Sequence, residues 1–132
     1  MNSILKQFIK HLTVEENEVV LLDMEAGVEH FGRGVDNSVD LILMIVDPSF
    51  ESLKLTKKIQ QLGESIGKTV FFVLNKVNGQ ILPTMLESID DQSKVLAVIS
   101  EDTEIARKGL LGNELMMEIP EIHTLAREIL KQ

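Results

Sequence analysis

The chain contains no cysteine among its 132 residues. Disulfides, thiolate metal ligands and thiol nucleophiles are therefore excluded. The absence is compatible with a reducing cytoplasm, the expected location. Positive charge is also scarce. Lys and Arg number 13 against 21 Asp and Glu, a formal net charge of −8. Nucleic-acid backbones and anionic membrane surfaces are held by clustered basic residues, so neither is an expected partner. The local basic group Lys54, Lys57 and Lys58 has the spacing of a solvated helix face. No apolar run reaches the roughly 20 residues of a membrane span. The opening MNSILKQFIKHL interleaves charges with its apolar residues and lacks the continuous core and cleavage site of a signal peptide. No Ser-His-Asp arrangement with supporting context is visible.

What is present is an alternation of short apolar runs with helical patterns. Ile4, Leu5, Phe8, Ile9 and Leu12 repeat at helical spacing. VVLLD (Val19–Asp23), LILMIVD (Leu41–Asp47), TVFFVLN (Thr69–Asn75) and KVLAVIS (Lys94–Ser100) read as strands; the first three are continuous apolar runs expected to be buried on both faces. Ser49 suits an N-cap, with Glu51 in the first turn, for a helix whose stripe is Leu55, Ile59, Leu62 and Ile66. Leu82, Met85, Leu86 and Ile89 predict another helix, with Pro83 in its first turn. Asp102 caps a short helix carrying Ile105 and Ala106. Pro120 opens a final one with Ile122, Leu125, Ala126, Ile129 and Leu130 on one face. The expectation is one α/β domain over residues 1–132, with a mostly parallel sheet of about four strands flanked by helices. Ligands gather at the carboxyl ends of such strands. Those ends are Asp23 to Gly27, Asp47-Pro48-Ser49, Asn75-Lys76 and Ser100 to Asp102.

LGESIGKTV (Leu62–Val70) resembles the end of a phosphate-binding loop. That loop needs G-x-x-x-x-G-K-[ST] after a strand and before a helix, so that helix-start amides face the phosphates. Here the glycine spacing is short, and Gly67-Lys68-Thr69 follows a helix and precedes a strand. The reading that fits is a helix terminator followed by a strand start.

VVLLDMEAG instead has the form of a Walker-B strand and its following turn, although an apolar strand ending D-x-x-x-G also serves ordinary turn chemistry. DMEAGVEHFGRG (Asp23–Gly34), VDLILMIVDPSFESL (Val39–Leu53) and FFVLNKV (Phe71–Val77) together resemble the MinD/ParA-type deviant P-loop ATPases. Among these the string is most similar to the CooC-type accessory ATPases that insert nickel into carbon monoxide dehydrogenase. The resemblance runs from about Val19 to the C-terminus. It implies a P-loop NTPase (Rossmann-like) fold and binding of ATP or ADP with Mg²⁺.

Residue by residue, the resemblance implies that Asp23 is the Mg²⁺-associated aspartate, acting through water, and Gly27 the switch glycine near the γ-phosphate. It places Glu25, Glu29, His30 and Arg33 in the nucleotide-responsive segment. Asp47 and Pro48 match the turn after the next sheet strand. Asn75 matches the asparagine that contacts adenine, with Lys76 beside it. SEDTEIARKGLLGNEL matches a late segment near the base.

Two family features are missing from these residues, the glycine-rich phosphate loop with its strand and the Cys-x-Cys metal pair. The expectation is a truncated domain matching the C-terminal half of such an ATPase, inactive in hydrolysis on its own. The partners this implies are a second copy of the chain, as a dimer, or an upstream-encoded half carrying the phosphate loop, with a metalloenzyme as client. In relatives the missing strand lies between VVLLD and LILMIVD, so the gap is expected to be closed by direct pairing, by a second copy or by a partner. The remaining polar groups are weaker candidates. His30 fits a solvated turn or, with Glu25 and Glu29, a metal site. His11 and His123 fall on predicted helices, Met116-Met117 suits packing, and Asp90-Asp91 suits a turn.

Overall fold

A computed structural model of the chain describes residues 7–8, 11–16, 18–24 and 39–132. Three strands form one parallel sheet: β1 (Ile42–Val46), β2 (Val70–Val77) and β3 (Val95–Ser100), in the spatial order β1-β2-β3. The helices are α1 (Phe50–Ser65), α2 (Leu82–Glu87), α3 (Thr103–Leu111) and α4 (Pro120–Ile129). Between α2 and β3, Asp91 caps a single 3-10 turn at Gln92–Lys94. Gln7, Phe8 and His11 are helical, and the rest of the helix expected at the start of the chain lies largely outside the described residues.

The alternation of strand and helix follows the predicted order, and the parallel α/β class stands. The central strand β2 explains why. Phe72, Val73 and Leu74 are wholly buried, because helices cover both faces of the sheet. On one face Met44, Val46, Phe72 and Leu74 pack with Ile59 of α1 and Met85 of α2. On the other, Val73 and Ala97 pack under Leu125 of α4. Full burial of each such apolar side chain is worth about 1.5–3 kcal/mol.

The end of α1 settles the GKT question. Gly67 has φ +68°, Lys68 N–H donates to the Gly63 carbonyl at 2.9 Å, and Gly67 N–H donates to the Glu64 carbonyl at 3.1 Å. This is a Schellman stop, with glycine in the left-handed position it alone occupies without strain. The amides of Gly67-Lys68 are spent on helix carbonyls, so they form no phosphate cradle.

Five expectations need correction. Val19–Asp23 forms no strand, and Val19, Val20 and Leu21 are exposed, with Leu21 at 82%. An apolar run supplies side chains for a strand, but the strand itself exists only where another pairs with it. Among the described residues, β1 pairs only with β2. The expected closure by direct pairing of VVLLD with LILMIVD is therefore not made. β1 is also not buried on both faces: Ile45 is 50% exposed on the α4 side, because α4 packs its Leu125 over Val73 and Ala97 of the neighbouring strands. The apolar face of α4 is also only partly used, since Ile122 and Leu130 stay exposed while Leu125 is buried. Met116 does not pack either, and is 83% exposed.

Among the described residues no helix is long and apolar enough to cross a membrane.

Candidate functional site

The carboxyl ends of β1 and β2 lie side by side because the strands are parallel and in register, with Val46 opposite Leu74. The next residues on each strand therefore meet at one edge. Asp47 leaves β1 there, and Pro48 carries the chain into the Ser49 cap of α1. Ser49 Oγ accepts from Ser52 N–H at 3.2 Å, and Ser52 Oγ accepts from Asp47 N–H at 3.1 Å. This local ring fixes the Asp47 backbone before any ligand is considered.

Consecutive strand residues normally point to opposite faces, yet Asn75 and Lys76 both reach Asp47. Asn75 Nδ2 donates to Asp47 Oδ1 at 2.9 Å, and Lys76 Nζ donates to Asp47 Oδ2 at 2.7 Å. The cause lies in the backbone. Leu74 pairs with Val98 and Val77 with Ser100, so three steps along β2 oppose two along β3, which is a bulge. Lys76 sits in it with φ +54°, a left-handed conformation uncommon outside glycine. Such outliers mark sites where the surroundings over-determine the backbone.

Asp47 feels opposing influences. Burial, the largest single one, raises its pKa. The hydrogen bonds from Lys76 and Asn75 and the charge of Lys76 together outweigh it and hold the carboxyl below the usual aspartate range. The Lys76–Asp47 pair is well exposed on both sides, so it orients groups more than it stabilises the fold. Asn75 Oδ1 has no hydrogen-bond partner among the described residues. With Nδ2 on the carboxylate, Oδ1 is the end of the amide turned away from Asp47.

The end of β3 adjoins this edge. Glu101 N–H donates to the Val77 carbonyl at 2.9 Å, and Asn78 Nδ2 donates to Glu101 Oε2 at 3.4 Å. Asp102 Oδ1 accepts from the N–H groups of Glu104 and Ile105, so that carboxylate caps α3. A small cleft of about 100 Å³ opens there, between Ser100 to Asp102 and the segment from Met117 to Glu121.

Of the residues expected at a site, Asp47, Asn75 and Lys76 converge, and Pro48 shapes the turn that presents Asp47. Asp23 is exposed, outside any strand, and no hydrogen bond or ion pair ties it to that cluster. Glu25, Gly27, Glu29, His30 and Arg33 lie outside the described residues, as does the metal site considered for Glu25, Glu29 and His30. Among the described residues no three His, Asp or Glu side chains converge on a metal position. Lys57 pairs with Asp90 at 3.3 Å, which accounts for part of the basic helix face. Sequence reasoning missed Ser52, whose only signal is the S-x-x-S spacing after Asp47, and the left-handed backbone of Lys76, which has no sequence signal.

No protein-family model matches the chain. Similarity to individual proteins is strong. The chain is 44% identical to an uncharacterized ATP-binding protein of Methanocaldococcus jannaschii over 131 residues, which is 99% of this chain and 52% of that protein. It is 32% identical to the carbon monoxide dehydrogenase accessory protein CooC of Rhodospirillum rubrum, over 84% of this chain and 43% of CooC. In fold it is like the MinD cell division protein of Aquifex aeolicus, with a TM-score of 0.57 at 15% identity, over 72% of this chain and 45% of that one. The chain thus spans about half the length of the relatives it matches. Taken with a parallel sheet that gathers Asp47, Asn75 and Lys76 at its carboxyl edge, these matches place the chain in the MinD/ParA-type P-loop ATPase superfamily, with similarity to CooC.

Proposed function

We propose that the chain supplies the base-side edge of an ATP- or ADP-binding site in a CooC-like accessory protein. The observation that carries this reading is Asn75, held at the carboxyl edge of the sheet with its amide nitrogen on Asp47 and its amide oxygen turned away from that carboxylate. An acceptor at that place fits the exocyclic amine of adenine. Asp23 would hold Mg²⁺ through water once nucleotide is bound, with Glu25 and Gly27 beside the phosphates. The phosphate loop would come from outside these 132 residues. In phosphoryl-transfer sites of this kind most anchoring comes from that loop, its lysine and Mg²⁺. On this reading the 132 residues are one truncated domain that binds nucleotide weakly and does not hydrolyse it alone.

The finer reading is a dimeric, cytoplasmic maturation factor that acts on a metalloenzyme client, such as nickel insertion into carbon monoxide dehydrogenase. The identity to CooC supports it. Having no cysteine, these residues could not carry the metal on thiolates.

A second reading is favoured by exposed apolar residues and by the edge of β1, which has no strand partner among the described residues. Ile45, Val19, Val20 and Leu21 are all exposed, and an open strand edge promotes association. The chain would then be a non-catalytic interaction module, or one part of a split ATPase. Titration with Mg-ATP and ADP separates the readings, done on the chain alone and with a polypeptide covering the other half of its relatives. Binding by the chain alone supports the first. Binding only after complementation supports the split ATPase, and none in either case supports the interaction module. A steady Mg-ATP turnover by the chain alone that disappears in Asp23→Ala would refute the expected lack of hydrolysis.

A further inference from the structure

We propose that Asp47 is a positioning residue that makes this edge select adenine over a base with a carbonyl at the same position. The inference rests on the nucleotide reading above. An ionised carboxylate only accepts hydrogen bonds. Asp47 Oδ1 therefore holds the Asn75 amide in one of its two orientations, with Nδ2 on the carboxylate at 2.9 Å and Oδ1 turned away from it. The reverse orientation would set two acceptors against each other. Asp47 Oδ2 meanwhile draws in the Lys76 ammonium at 2.7 Å. One N–H of the Asn75 amide and one of the Lys76 ammonium are thus engaged by Asp47, and the Asn75 amide oxygen is the end left turned away from the carboxylate.

Adenine carries an amine donor at C6, whereas guanine and hypoxanthine carry a carbonyl acceptor there. An acceptor bonds the first and opposes the second. A site built to hydrogen-bond a donor discriminates strongly against the analogue lacking it, because its own polar group is left unpaired. The left-handed backbone at Lys76 serves the same end, since it lets both Asn75 and Lys76 reach one carboxylate.

The test compares ADP with inosine diphosphate on the full chain, by calorimetry or NMR titration. The two probes share ribose and phosphates, so contributions from those groups cancel. The wild type is expected to prefer ADP by about tenfold or more. In Asp47→Asn, Asn75 can turn over and Lys76 is released, so the preference falls to within about twofold of unity. Circular dichroism melting checks that the variant folds. A merely structural role would weaken both probes equally and leave their ratio intact. Asn75→Ala is the second variant, and should bring ADP affinity down to that of inosine diphosphate. Equal binding of the two probes by the wild type overturns the inference alone, as does a ratio that survives Asp47→Asn or Asn75→Ala. Failure of the wild type to bind either probe removes the nucleotide reading for this chain and the inference with it.

Discussion

Gly63 and Val70 press the end of α1 against the start of β2 so closely that no side chain fits between them. A Cβ at Gly63 would lie 2.4 Å from Val70 Cγ2 and 2.9 Å from the Lys68 carbonyl oxygen. The contact sits seven positions apart in sequence, across the Schellman stop at Gly67. It sets the angle at which β2 departs toward Asn75. The substitution Gly63→Ala is expected to destabilise the fold by about 1–3 kcal/mol through overpacking. Urea unfolding checks this, and an unchanged midpoint would mean that α1 and β2 can separate at no cost.

Thr56 is the polar residue buried in the face between α1 and α2, at 1% exposure. Its hydroxyl lies 2.7 Å from the Leu53 carbonyl and 2.8 Å from the Ser88 carbonyl, joining α1 to the end of α2. Thr56→Val keeps the shape and removes the donor. The expected loss is about 1–2 kcal/mol, from a buried carbonyl left unpaired. Thr56→Ser should recover most of the hydrogen-bond contribution.

Asp47 gives the acid side of the stability curve a definite sign. Its folded pKa lies below its unfolded one. Its contribution is therefore fully present above the ordinary aspartate range and is lost as pH falls through the folded value. The stability difference between wild type and Asp47→Asn should be largest near neutrality and vanish in acid. The pair is exposed, so the difference should stay below about 1 kcal/mol. A difference that grows as pH falls would contradict the assignment.

Asp102 closes two amides at the start of α3, with Oδ1 2.7 Å from Glu104 N and 3.1 Å from Ile105 N. Asp102→Ala should cost about 1 kcal/mol. Amide hydrogen exchange should quicken first in Thr103–Leu111, the element that this cap begins.

Much of the fold was legible because local signals agreed with one another. Ser49 and Asp102 cap the helices they were expected to cap, Gly67 stops α1, and Pro83 and Pro120 open helices. The runs at β1, β2 and β3 paired as expected. Half of the candidate site was legible too, since NK after one strand and DP after another fall at the same end of a parallel sheet. The run at Val19–Asp23 was misleading. Its composition matches that of β1, but pairing is not encoded in a run taken alone.

The sequence by itself determined the order of the elements, the parallel α/β class, the exclusion of cysteine chemistry and the resemblance to MinD/ParA-type ATPases. The first three follow from periodicity, capping residues and composition, which act over a few neighbouring positions, and the resemblance rests on the strings DMEAGVEHFGRG, VDLILMIVDPSFESL and FFVLNKV. Tertiary structure alone decided that Asp47, 28 residues from Asn75, takes both that amide and the neighbouring ammonium. It also decided that Lys76 adopts a left-handed backbone and that Val19–Asp23 stays outside the sheet. Those outcomes depend on which strand edges meet, and hydrogen bonds across strands are settled by register and partners rather than by the local chain.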